Sequence, residues 1–103
     1  MSKKTNQDIK QLRAVGHKLK PVVTIAGNGL TDGVCAELER ALGDHELIKV
    51  KLAAGSRETR AALAREICDR TRAELVQAIG NVVVILRRSA RPDPRLSNLI
   101  RAL

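Results

Sequence analysis

Between the β-branched run Val22–Ile25 and a Thr31 suited to cap a helix lies Ala26-Gly27-Asn28-Gly29-Leu30-Thr31-Asp32-Gly33. Glycines permit positive φ and let a bulky ligand approach the backbone closely. The helix that follows points its unpaired N–H groups and the positive end of its dipole at the same spot. A bound phosphate is the ligand this arrangement favours, with a purely steric turn as the alternative. Gly27-x-Gly29-x-x-x-Gly33 comes close to the dinucleotide fingerprint and follows a strand, as that motif requires. A dinucleotide site also needs an acid about 20 residues on, to hold a ribose. Here that stretch reads Lys49-Val50-Lys51-Leu52-Ala53-Ala54, without one, and no Walker Gly-Lys-Ser/Thr is present. A nucleic-acid backbone suits the basic surroundings better.

Other reactive side chains point nowhere so definite. His17 and His45 read as loop hydrogen-bonding residues, because no neighbouring Ser, Cys or carboxylate makes an evident catalytic set. Cys35 and Cys68 are too few and too far apart for a disulfide framework or a zinc site, and they read as small core residues. No metal or cofactor is expected, and no enzymatic activity. Lys18 and Lys20 precede the first strand and are expected to form a basic surface beside the glycine loop. Lys49 and Lys51 either solvate an open sheet face or contact a polyanion.

Positioning that loop falls to a chain of 103 residues with 44% hydrophobic composition, which is one domain with one core. The core has no Phe, Tyr or Trp, so it is built from aliphatic side chains. Their absence also argues against readers that stack bases on aromatic rings, such as an RRM sheet or an OB-fold. The net charge is +8, and it is uneven. Residues 1–20 hold six basic and one acidic side chain (+5), and residues 87–103 hold five and one (+4). The stretch 21–86 between them, with eight and nine, is at −1. Basic ends flanking a neutral body suit a polyanion-binding face better than mere solubilising tails. No apolar run reaches the roughly 20 residues of a membrane span. Nor does the N-terminal segment resemble a secretion signal. The expectation is a cytoplasmic, monomeric domain without membrane contact.

Periodicity supplies the elements. Ile9, Leu12 and Val15 predict a helix from about residue 6 to Val15, stopped by Gly16. Thr31 caps a second helix, with Val34, Leu38, Ala41 and Leu42 inward and Gly43 as its stop. Ile48, Val50 and Leu52 alternate with Lys49, Lys51 and Ala53, so one face of this strand is buried. Ser56 caps a third helix running to about Arg72. Leu75–Ile79, Gly80-Asn81 and Val82–Leu86 form a hairpin, and the unalternating Val82–Leu86 run predicts a central strand. Right-handed crossovers make strands one to three parallel. The result is an α/β fold, α-β-α-β-α-β-β, a two-layer sandwich on a mixed four-stranded sheet of order 1-2-4-3. Residues 1–88 form the domain, and 89–103 a basic extension. In that extension Asp93 and Pro94 can open a short helix carrying Leu96, Leu99, Ile100 and Leu103.

Several stretches resemble a known family. They are Gly16-His17-x-Leu19-Lys20-Pro21-Val22-Val23, Asn28-Gly29-Leu30-Thr31-x-Gly33-Val34, His45-Glu46-Leu47-Ile48-Lys49-Val50-Lys51 and Arg57-Glu58. From about Gln7 to Leu86 the chain resembles the YhbY-type, single-domain members of the CRM (chloroplast RNA splicing and ribosome maturation) family. The resemblance implies a fold like the C-terminal domain of bacterial initiation factor three. It also implies binding to large-subunit ribosomal RNA or its precursor within a pre-ribosomal particle, and a role in ribosome assembly. The family's KH-like Gly-x-x-Gly loop, which clamps RNA backbone, falls on Ala26-Gly27-Asn28-Gly29. Ala26 replaces the first glycine, and the lysine often found mid-loop is missing. The RNA-binding set so implied is Lys18, Lys20, Ala26, Gly27, Asn28, Gly29, Thr31, Lys49, Lys51 and Arg57. Two other readings stay open. One is a nucleotide-binding domain using Gly27, Gly29 and Gly33, and the other is an adaptor that docks its C-terminal Leu stripe on a protein.

Overall fold

The computed structural model describes residues 6–53 and 55–101. The chain runs α1 (Asn6–Lys18), β1 (Pro21–Ile25), α2 (Asp32–His45), β2 (Leu47–Leu52), α3 (Arg57–Thr71), β3 (Glu74–Ile79), β4 (Val82–Leu86) and α4 (Asn98–Arg101). The strands form one sheet of order β1-β2-β4-β3. β1 and β2 are parallel, while β4 runs antiparallel to both β2 and β3. This is the topology expected from the crossover helices and the hairpin. Among the described residues no helix is long and apolar enough to cross a membrane.

β4 lacks alternation because both of its faces are covered. Val83 and Ile85 join Ile25, Val50, Leu38, Leu42 and Ile67 in a core beneath α2 and α3. Val84 and Leu86 point the other way, where they meet Leu12, Leu47 and Val76 beneath α1. The sheet with α2 and α3 makes the two-layer sandwich, and α1 adds a partial layer on the reverse face. β2 keeps its predicted alternation, with Ile48, Val50 and Leu52 buried and Lys51 exposed.

Two predicted helix stops are corrected. Gly16 lies inside α1, which continues to Lys18. A Cβ at Gly16 would stand 2.9 Å from Val84 Cγ1, so this glycine serves close packing of helix on sheet. Gly43 likewise lies inside α2. That helix ends at Glu46, which takes φ +62 and donates its N–H to Leu42 O at 2.9 Å. A non-glycine residue held at a sparsely populated positive φ costs about 1–3 kcal/mol, so something else must hold Glu46 there.

What holds it is the C-terminal segment. Glu46 is buried, and its carboxylate accepts from the Ser97 hydroxyl at 2.6 Å and from the Ser89 N–H at 2.5 Å. Its own carbonyl accepts from Arg87 N at 2.8 Å. The Asn98 amide donates to Leu47 O at 2.7 Å, and Leu99 packs on the second core. The expected Leu stripe is therefore broken. Asp93 O accepts from the N–H groups of Leu96 and Ser97 in a turn, and the helix starts only at Asn98. Ile100 is exposed, and Leu103 lies outside the described residues.

Candidate nucleic-acid interface

β1 delivers the glycine loop to the end of the sheet. Gly29 N donates to Ala26 O at 3.0 Å, closing a tight turn, and Gly29 adopts φ +70. Glycine is required there, since L side chains rarely accept that φ. Gly27 has no such requirement, because a Cβ on it would meet nothing within 4 Å. The shifted glycine thus leaves one conformationally essential position in the loop, Gly29. Ala26, Gly27 and Asn28 are exposed around it. Thr31 then caps α2 as the sequence predicts, its Oγ1 accepting from Val34 N at 3.2 Å. The amides of Asp32 and Gly33 have no partner within the helix.

A second helix start shares this end of the sheet. Because β1 and β2 are parallel, both of their following loops emerge together, tied by Ala53 N donating to Ile25 O at 2.8 Å. Ser56 caps α3 as expected, accepting from Thr59 N at 3.2 Å. Arg60 donates to Gly55 O at 2.9 Å and steadies that turn. The β3–β4 turn joins them through Leu52 N donating to Asn81 O at 2.7 Å. Three turns and two positive helix ends therefore meet at one pole.

The charged residues of the expected set divide between that pole and the rest of the sheet. Arg57 opens α3 at the loop pole, and Lys51 lies near the same end of β2, paired in register with Thr24. Asp32 and Glu58 place carboxylates in the first turns of the same two helices. Lys18 and Lys20, expected beside the loop, stand instead at the start of β1, a strand's length away. Leu19 between them packs against the second core, which contains Leu47 and Leu86. Lys49 sits mid-sheet, half-buried, with its Nζ donating to His17 O at 3.4 Å. It borders an open groove of about 260 Å³ floored by Val82, Val84 and Ile79, with Gln77 on its rim.

The roles of Arg13, Arg87 and Glu46 were not legible beforehand, whereas the hydrogen bond expected of His45 is present with a distant partner. His45 donates from Nδ1 to Leu96 O at 2.8 Å, so that nitrogen carries a proton. Arg13 donates to Val76 O at 3.3 Å where β3 bulges between Leu75 and Gln77. Arg87 pairs with Glu39 at 2.5 Å and donates to Thr71 O at 3.0 Å. Glu46 has been described. Each joins residues 16 to 63 positions apart in sequence, which no local spacing signals. Both cysteines are partly buried thiols. Burial, and secondarily the Asp69 charge, raises the Cys68 pKa above the ordinary thiol value of 9.0. Among the described residues, no three His, Cys, Asp or Glu side chains are grouped to hold a metal ion.

The CRS1/YhbY (CRM) domain pattern matches residues 5–87, which includes every strand and the glycine loop. The chain belongs to this family. It is 53% identical over 97 residues to a Pseudomonas aeruginosa protein named "Probable RNA-binding protein", covering 94% of this chain and 93% of that one. An RNA-binding protein of Haemophilus influenzae is 50% identical over 78 residues, which are 76% of this chain and 79% of the relative. The fold is similar to the solution structure of a Staphylococcus aureus protein described there as a candidate RNA binder. The TM-score is 0.74 at 31% identity, over 84% of this chain and 91% of that one. Membership of the CRM family agrees with the α/β fold and its mixed four-stranded sheet.

Proposed function

We propose that this CRM protein is a non-enzymatic, cytoplasmic RNA-binding protein that associates with precursors of the large ribosomal subunit and assists their assembly. The observation that carries the reading is the loop pole. Gly29 turns the chain at φ +70 directly into the capped start of α2, beside the capped start of α3. Two positive helix ends and an open glycine backbone favour phosphate oxygens over neutral ligands. Lys51 and Arg57 add cationic charge there, and the named RNA-binding function of the relatives agrees with the chemistry.

A chain without aromatic residues gains its affinity from phosphates rather than from stacked bases. The end of β2, where a dinucleotide site holds its ribose-binding acid, carries Lys51 instead, so a mononucleotide is the poorer ligand. Binding is tested by titrating a transcript of large-subunit ribosomal RNA and, separately, adenosine triphosphate. The assembly role is tested by fractionating cell extract on a sucrose gradient. The protein should travel with particles that precede the mature large subunit. Tight mononucleotide binding without RNA binding would refute the RNA reading, and exclusive recovery in the unassociated fractions would refute the assembly role.

A further inference from the structure

The basic charge of this protein is concentrated away from its glycine loop. The loop pole has Lys51, Arg57 and Arg60 against Asp32 and Glu58, an excess of a single positive charge. The opposite pole carries the segment after β4, with Arg88, Arg91, Arg95 and Arg101 all exposed. Its one acid, Asp93, is engaged locally, accepting from Arg95 N at 2.9 Å. Arg87 is already paired with Glu39. Asp8, Asp44 and Glu74 on the neighbouring elements are the acids that partly offset this charge.

This segment is a fixed part of the structure. Ser97 is fully buried on the Glu46 carboxylate, whose other oxygen holds Ser89 N. His45 and the carbonyl of Leu47 grip the residues on either side of Ser97. Three consecutive body residues, 45 to 47, thus clamp a strap that lies beyond the CRM domain pattern, which ends at residue 87, although the Pseudomonas relative aligns into it. A carboxylate is a costly group to bury, and here both of its oxygens bind the strap.

We infer that the strap arginines Arg88, Arg91 and Arg95 form a second RNA-phosphate contact at the pole opposite the glycine loop, positioned by Glu46. The inference rests on the RNA-binding reading above. Guanidinium groups recognise phosphate with paired, charge-assisted hydrogen bonds, which makes RNA the matching partner. Holding them on a clamped segment lowers the entropy lost when they bind. Lys18 and Lys20, at the start of β1, extend the same surface. One RNA strand, or two neighbouring strands, would then be held at both ends of the sheet.

The test uses the full chain, polyuridylate as the probe, and salt titrations of four variants. Replacing Arg88, Arg91 and Arg95 together by Ala should weaken binding about ten-fold and flatten the log–log salt slope by about 2. Glu46→Gln should weaken binding less, while the circular dichroism spectrum stays that of the parent. In the triple-Ala background Glu46→Gln should change nothing further, because its effect on RNA is routed through those arginines. Gly29→Asp serves as the reference for the loop. A triple variant with parental affinity and slope, beside a weakened Gly29→Asp, would overturn the second contact and leave the loop reading intact. The strap's charge would then serve another partner, such as an acidic protein. An unchanged Glu46→Gln effect in the triple background would overturn the positioning role. A parent that binds no RNA would remove both readings together.

Discussion

Gly16 of α1 packs directly on Val84 of β4, leaving a Cβ only 2.9 and 3.0 Å from the two γ-carbons. Gly16→Ala should gain about 1 kcal/mol of helix propensity and lose about 1–3 kcal/mol to overpacking. The expected net result is a destabilisation of about 1 kcal/mol in urea unfolding. Val84→Ala removes the opposing methyl groups, so the pair of substitutions should cost less than the sum of the single ones. Strict additivity would show that the helix shifts freely and that the contact is not tight.

At the loop the two glycines should separate cleanly. Gly27→Ala meets open space and should leave both stability and RNA affinity near parental values. Gly29→Asp forces a side chain onto φ +70 and sets a negative charge at the start of α2. It should weaken RNA binding about ten-fold, or about 1.4 kcal/mol, at fixed salt in a folded protein. Lys3→Ala, at a residue outside the described region, should weaken binding far less. Equal binding by Gly29→Asp and the parent would reduce the loop to a structural turn.

Salt dependence reports on how the protein holds RNA. About five contacts to single-stranded RNA would give a log–log slope of about −3.5. Fluorescence anisotropy across a salt series measures it directly. A flat response would mean that affinity comes from groups other than phosphates.

Cys68 should leave a signature at alkaline pH. Burial and Asp69 keep its thiol protonated in the folded chain beyond the ordinary value of 9.0, whereas the unfolded chain ionises near that value. The stability gained by holding the thiol neutral is complete below 9.0 and is lost as pH rises through the higher folded-state pKa. The parent should therefore lose stability relative to Cys68→Ala over that window. A difference between the two proteins that stays constant across 9.0 would mean the thiol is solvated in the native state.

Strand order was legible because each step had a short-range cause. Thr31 and Ser56 mark helix starts by their own hydroxyls. The unbroken Val82–Leu86 run needs apolar cover on both faces, which is found in the middle of the sheet, where β4 lies. Gly16 and Gly43 misled for a shared reason. A glycine required for approach and a glycine required for φ are the same letter, and only the neighbouring element distinguishes them. Glu46 lies within a family motif, yet its work depends on Ser97, 51 residues later. For the site, the loop residues could be placed on the strand-to-helix turn. The separation of Lys18 and Lys20 from that turn required knowing at which end of β1 each group stands.

Central placement of β4 also governs the order in which this molecule can be made. β2 and β3 are both synthesised before the strand that joins them, so neither can finish its hydrogen bonding until Leu86 is available. Until then β2 offers one unpaired edge, β3 is unattached to the β1–β2 pair, and both apolar layers lack their middle. A chain ending before Val82 would contain three of its four strands and still lack a sheet spanning them. Its cooperative folding therefore waits for β4 to be made, and nascent chains halted before it should be open to proteases along the exposed strands.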